Sequence, residues 1–233
     1  MLPDGCIDVL VHGTTGQSPA RVVGTMRRAI VVAPADGMAI GIRFRAGEAP
    51  RLLPAASREL TDTDAPLDAL WGDDGRQLEE ALLGLVEGGE RDGLSAEQLL
   101  ERASATIDGA LRKRLASHGE AIDVRVRAAI ELLSSGSTVR ETAQRVALSE
   151  RQLARRFADR VGIPPKVFAR VVRLQRAAAL LFEGSPPSEA ALLAGYADQA
   201  HFTRESQELA GITPSGLAHE LSDSFKTAMP LAS

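Results

Sequence analysis

The sequence predicts an α+β protein. A small β-rich amino-terminal domain with flanking helices precedes an all-α domain of two helix-turn-helix units joined by a long linker helix. Three observations lead there. Short alternating apolar runs broken by Gly and Pro occupy the chain before Arg45. Apolar residues at helical spacing dominate the chain beyond Arg45, and a capped amphipathic stretch near residue 150 recurs 49 residues later.

In order, Cys6 to Val11 sets Ile7, Val9 and Val11 against Asp8 and Leu10, the period of a strand. Arg21 to Val23, Ala29 to Ala33 and Met38 to Phe44 read as further strands between Gly and Pro turns. Asp62, Asp64 and Asp68 fall in a Pro-containing loop without a partner base. Trp71 is a core anchor or, alternatively, a pocket wall. Gly75 to Val86 carries Leu78, Leu82, Leu85 and Val86 on one helical face, and Gly88-Gly89 is expected to end it. Ser95 and Gln98 open a helix to about Ser117, with Leu99, Ala103, Ile107, Ala110 and Leu111 inside. His118 to Ala121 is the expected linker. The domains are then 1–120 and 121–224, with a tail at 225–233.

Beyond the linker, Ile122 to Leu133 forms a helix ended by Gly136. Thr138 and Glu141 make a capping box for Val139 to Arg145, and Val146 to Leu148 is a three-residue turn. A second capping box, Ser149 with Gln152, opens SERQLARRFADRV. Leu153, Phe157 and Val161 share its inner face, Arg151 and Arg155 the opposite one, with Gln152 and Arg156 to the side. That is helix-turn-helix geometry, and a guanidinium face suits the major groove. An amphipathic helix with solvated arginines would look similar. Repetition favours the first reading: a 49-residue shift aligns Ser149 with Asp198, Leu153 with Phe202, Arg155 with Arg204, and Gly162-Ile163-Pro164-Pro165 with Gly211-Ile212-Thr213-Pro214.

These paired ends, with RLQRAAALL at Arg173 to Leu181 and GYADQAHFTRE at Gly195 to Glu205, resemble the AraC/XylS family of transcriptional regulators over roughly Asp123 to Ser222. LPDGCIDVLVHG, IGIRFRAGEAPRLL and ELTDTDAPLDALWG resemble the PDGxxD-type regulatory domain of one subgroup, here Pro3, Asp4, Gly5 and Asp8. Read from chemistry alone, Asp4-Gly5 is a turn and Asp8 an exposed strand residue. The resemblance implies an effector-responsive regulator of double-stranded promoter DNA that reads two successive major grooves. It further implies a small-molecule effector, an RNA polymerase contact and a homodimer. Transferred residue by residue, the groove-facing positions are Glu150, Arg151, Ala154 and Arg155, then Ala200, His201 and Arg204. Gln152, Arg156, Lys166 and Arg170 are expected to reach the DNA backbone. A linker helix of 18 residues from about Pro165 to Phe182 spans about 27 Å, enough to hold two readers on one DNA face. Two departures stand out: Ser206 where the family has an aromatic core residue, and Ala147 where it has a glycine. They predict a loosely packed, weakly reading second unit.

The net charge of −4 hides an asymmetry. Residues 1–122 hold 13 basic and 19 acidic side chains, residues 125–176 hold 12 and four, and residues 183–223 hold one and seven. The positive field sits on the first unit and the linker helix, where phosphates would be neutralised. The lone Cys6 excludes a disulfide framework or cysteine cluster, and no phosphate loop, dinucleotide fingerprint or nucleophile elbow occurs. His12, His118, His201 and His219 lack ligand spacing, so neither an enzyme nor a cofactor is expected. No apolar run reaches membrane-spanning length, and Met1 to Gly13 lacks a secretory pattern, so the cytoplasm is the expected compartment and no membrane the expected partner. A sensor or interaction protein whose second unit has lost DNA binding is the main alternative. A small-molecule enzyme fused to a DNA module is another. Only four strand candidates precede Arg45, too few for a closed barrel. Cys6 to Val11 is therefore expected near an exposed edge, with dimerisation or aggregation through this domain, or a natural start further upstream.

Overall fold

A computed structural model of the chain describes residues 1–12, 20–30 and 39–220. Four antiparallel strands lie in the order β3-β1-β2-β4: β1 (Ile7–His12), β2 (Ala20–Val23), β3 (Ala39–Phe44) and β4 (Asp64–Pro66). β1 pairs on both sides, Val9 facing Val22 and Ile42. The expectation that Cys6 to Val11 lies at an edge is therefore wrong. Its near-continuous burial, from Ile7 to Val9, is that of an interior strand. Ala29 and Ile30 are not in a strand, and the rest of that expected strand, 31–33, lies outside the described residues, as does Met38. β4 replaces part of the expected loop. It forms because Val22 and Val23 face Ala65 and Asp64, and Arg21 pairs with the Asp64 carboxylate.

Alternation divides the sheet. Ile7, Val9, Val11, Val22, Ile42 and Phe44 face a core shared with Leu67, Trp71, Leu78, Leu82 and Ala103. These come from α1 (Leu67–Trp71), α2 (Asp73–Asp92) and α3 (Ala96–His118). The Arg114 guanidinium lies 5.4 Å from the Trp71 ring, so the tryptophan is a core anchor. α2 does not stop at Gly88-Gly89; it runs to a left-handed Gly93. Gly89 is a contact instead, since a Cβ there would lie 2.3 Å from Leu99 Cδ2 where α3 crosses. α3 has the expected capping box, with Ser95 Oγ accepting from Gln98 N at 3.2 Å.

The remaining helices are α4 (Val124–Ser134), α5 (Val139–Arg145), α6 (Glu150–Val161), α7 (Pro165–Phe182), α8 (Pro187–Ala194) and α9 (Gln199–Ala210). α4, α5, α6 and the first half of α7 close one core around Phe157, whose ring meets Phe168 edge-on at 5.3 Å. The second half of α7 packs with α8 and α9 around Phe202 and Tyr196. Ser206 is fully buried in that second core, and its hydroxyl donates to the Ile212 carbonyl at 2.7 Å. Where the family has an aromatic ring, this core thus holds a buried hydroxyl with its hydrogen bond satisfied.

The repeat is offset within itself. α6 and α9 begin 49 residues apart, but α5 and α8 begin 48 apart, because α8 has eight residues and α5 seven, while the turns that follow them are equal in length. The left-handed residue of the first turn is Ala147, at φ 53; in the second it is Gly195, at φ 91. Left-handed backbone costs an L-residue about 1 kcal/mol. Ala147→Gly is therefore expected to raise stability by up to about 1 kcal/mol, less the extra unfolded-state freedom of glycine, measured by urea denaturation.

Candidate nucleic-acid interface

α6 and α9 each start on a side-chain cap and end on a left-handed glycine. Ser149 Oγ accepts from Gln152 N at 3.2 Å, and Asp198 Oδ1 accepts from His201 N at 2.6 Å. Gly162 and Gly211 close the two ends at φ 96 and 75. Leu153, Phe157 and Val161 are buried, as are Phe202 and Leu209, so the opposite faces are the free ones.

On α6, Glu150, Arg151, Gln152 and Arg155 are exposed and Ala154 is half-buried. Arg151 and Arg155 are one turn apart and have no ion-pair partner among the described residues. On α9, Ala200 and Arg204 are exposed, and His201 packs edge-on against Tyr196 at 5.2 Å. Lys166 is exposed at the start of α7. Three of the expected backbone contacts have intramolecular work. Gln152 Oε1 accepts from Ser149 N at 2.9 Å, leaving only its amide NH₂ for DNA. Arg156 reaches the Asp123 carboxylate at 3.3 Å. Arg170 donates to Glu205 at 2.7 Å and Glu208 at 2.6 Å, so its guanidinium already faces a carboxylate pair.

Glu205 is a key residue that sequence reasoning misses. It is buried on α9 and takes two guanidinium groups, Arg170 and Arg173, the latter with both oxygens, Oε1 at 2.9 Å and Oε2 at 2.8 Å. Arg173 also lies 4.7 Å from the Tyr196 ring. Burial alone would raise the Glu205 carboxyl, yet the hydrogen bonds from Arg170 and Arg173 outweigh it and hold the group below the usual glutamate range. Part of the acidity of the second unit is thereby explained: Glu205 and Glu208 face the arginines of the linker helix. A signal exists in the sequence, for 170 and 173 on one helix and 205 and 208 on the other share a three-residue spacing. A cleft of about 720 Å³ separates the units, bordered by Lys166, Arg176 and Arg204 around this network.

The PDG segment lies against α7. Asp4 Oδ1 accepts from Cys6 N at 2.9 Å, the expected turn. Asp8, expected to be exposed, is buried and bonded to Arg43 at 2.8 Å through both oxygens. Pro3 O accepts from Gln175 Nε2 at 2.6 Å, and a Cβ on Gly5 would lie 2.6 Å from the Phe168 ring. The motif docks the amino-terminal segment on α7.

Residues 142–219 match the model of a helix-turn-helix domain, and residues 1–66 that of a domain of unknown function, DUF6597. No curated relative matches the chain. Among solved structures, the carboxy-terminal domain of AraT, a response regulator from Geobacillus stearothermophilus, is 24% identical over 42% of this chain and 86% of its own, with a TM-score of 0.40. A probable AraC family transcriptional regulator from Rhodopseudomonas palustris is 27% identical over 41% and 95%, with a TM-score of 0.37. ToxT from Vibrio cholerae is 12% identical over 93% and 86%, with a TM-score of 0.46. The two domain matches, with the repeated capped helices, show a helix-turn-helix domain in the carboxy-terminal part of the chain, as the resemblance to AraC/XylS regulators led one to expect, behind a distinct amino-terminal domain.

Proposed function

We propose that this chain is a DNA-binding transcription regulator of the AraC/XylS family, sequence-specific and effector-responsive, and that it reads two successive major grooves through α6 and α9. The observation that carries the reading is the repeat of two capped twelve-residue helices, each with a buried apolar face and exposed polar side chains at its amino end. Arg151, Arg155 and Arg204 are the base-facing cations, with Glu150, Ala154, Ala200 and His201 beside them. Lys166, Arg156 and the Gln152 amide are assigned to the sugar-phosphate backbone. The domain division near residue 120 belongs to the same reading, as do a cytoplasmic place of action, an RNA polymerase contact and a homodimer.

The effector part is supported by a cavity of about 870 Å³ between the outer face of the sheet and α7 and α9. Leu10, Met26, Val167 and Leu209 give it an apolar wall, and His12 adds a buried Nδ1 without a hydrogen-bond partner among the described residues.

Arg155→Ala is expected to weaken binding to the specific site by about 1–3 kcal/mol and to relax preference at one base position, read by competition against single-base operator variants. Lys166→Ala should instead weaken binding evenly and reduce the slope of log affinity against log salt by about one. Arg170→Ala should leave that slope unchanged, because its charge is already matched by Glu205 and Glu208. Loss of affinity without change in base preference for Arg155→Ala would refute the base-reading assignment.

A further inference from the structure

The carboxyl ends of both reading helices terminate on the amino-terminal domain, and one short segment touches both. Thr25, fully buried, donates its hydroxyl to Val161 O at 2.6 Å, at the last turn of α6. Four residues on, the Ala29 amide donates to Leu209 O at 2.6 Å, at the last turn of α9. A helix leaves its final carbonyls unpaired, so each end offers an acceptor that must be satisfied from outside. Here the same five residues satisfy one acceptor on each helix. Their reach is at most about 14 Å, which limits how far apart the two ends can sit.

The segment is itself held. Gly24 N donates to Thr63 O at 3.0 Å, Asp62 N to Thr25 O at 3.0 Å, and Arg27 N to Asp62 Oδ1 at 2.7 Å. Ile30 N donates to Met1 O at 3.1 Å. The fit at the α6 end is close: a Cβ on Gly162 would lie 3.0 Å from Thr25 Oγ1. Two further hydroxyls cap the same helix end from the neighbouring loop. Ser57 Oγ donates to Arg160 O at 2.8 Å and Thr61 Oγ1 to Gly162 O at 2.7 Å. Neither residue reaches α9.

We propose that residues Thr25 to Ala29 form a brace that fixes the distance and angle between the two reading helices, and so make Thr25 a positioning residue for operator spacing. The proposal rests on the two-groove reading above. DNA presents successive half-sites at a set interval, and each inserted base pair rotates one half-site by about 35° relative to the other. A braced pair of readers accepts one interval; an unbraced pair accepts several, because the second contact is then made at lower but less selective effective concentration.

The test begins by selecting a preferred duplex with the full chain from a random-sequence pool. One base pair is then inserted or deleted between the contacted blocks, and affinities are compared for wild type, Thr25→Val, Thr25→Ser, Ala29→Pro and Ser57→Ala. For wild type, one added base pair should lower affinity by about tenfold or more. Thr25→Val and Ala29→Pro each cut one end of the brace and should reduce that penalty to about threefold or less. Thr25→Ser keeps the hydroxyl and should restore it. Ser57→Ala removes a cap from α6 without touching the brace, so it should lower thermal stability and leave the penalty intact. An unchanged penalty in Thr25→Val and Ala29→Pro, on a duplex with two contacted blocks, overturns the brace alone. An equal loss of the penalty in Ser57→Ala also overturns it, assigning the effect to capping. Selection of a duplex with a single contacted block overturns the two-groove reading and the brace with it.

Discussion

Replacing Glu205 by alanine is expected to destabilise the second unit by about 3–5 kcal/mol, the loss typical when one partner of a buried ion pair is removed. The Glu205 side chain is 6% exposed, and its partners Arg170 and Arg173 are 24% and 28% exposed. Without it, two guanidinium groups remain partly desolvated at one site, with only Glu208 near Arg170. α9 is then held to α7 by apolar contacts and the half-exposed Arg170–Glu208 pair. Glu205→Gln should retain hydrogen-bond acceptance and lose less. The same pairing sets a pH dependence. Because the folded Glu205 carboxyl lies below its unfolded value of about 4.3, its contribution is complete above that pH. It is lost as the pH falls through the depressed folded value. Chemical denaturation of wild type and Glu205→Gln between pH 7 and pH 3 should therefore converge toward the acid end. Parallel curves would remove the charge from the account.

Phe157→Ala is the second large effect, expected at about 3–5 kcal/mol, since it empties the centre of the first unit. Phe157 is fully buried and meets Phe168 at the point where α6 enters α7. Loss of that contact loosens the base of the arginine-bearing helix. Urea denaturation should show a large drop in midpoint, whereas Ser206→Ala, at the repeat-related position, should lose about 1–3 kcal/mol through the orphaned Ile212 carbonyl. A Phe157→Ala midpoint within experimental error of wild type would contradict the packing described.

The helical domain is readable because its signals are local. Thr138 with Glu141 and Ser149 with Gln152 announce helix starts within four residues, and Gly162 and Gly211 announce the ends. What escapes the sequence depends on residues far apart in the chain. Gly89 resembles a helix stop until Leu99 is seen against it. Asp64 to Pro66 looks like a loop because its ladder partner, Arg21 to Val23, lies more than 40 residues earlier. β1 resembles an edge because counting candidate strands cannot give their order in the sheet. The exposed arginines of α6 are legible from helical spacing, yet the difference between Arg155, which is unpaired among the described residues, and Arg170, which is paired, requires the position of α9. Thr25, Ser57 and Thr61 carry no motif, and their roles emerge only from where the sheet meets α6.

The most direct test of the central claim is a hydroxyl-radical footprint of the full chain on a selected duplex. Two readers held on one face of the DNA predict two protected blocks about 10 base pairs apart, both weakened by Arg155→Ala or Arg204→Ala but with loss centred on the block of the altered helix. A single protected block that responds to Arg155→Ala and ignores Arg204→Ala would contradict two-groove reading.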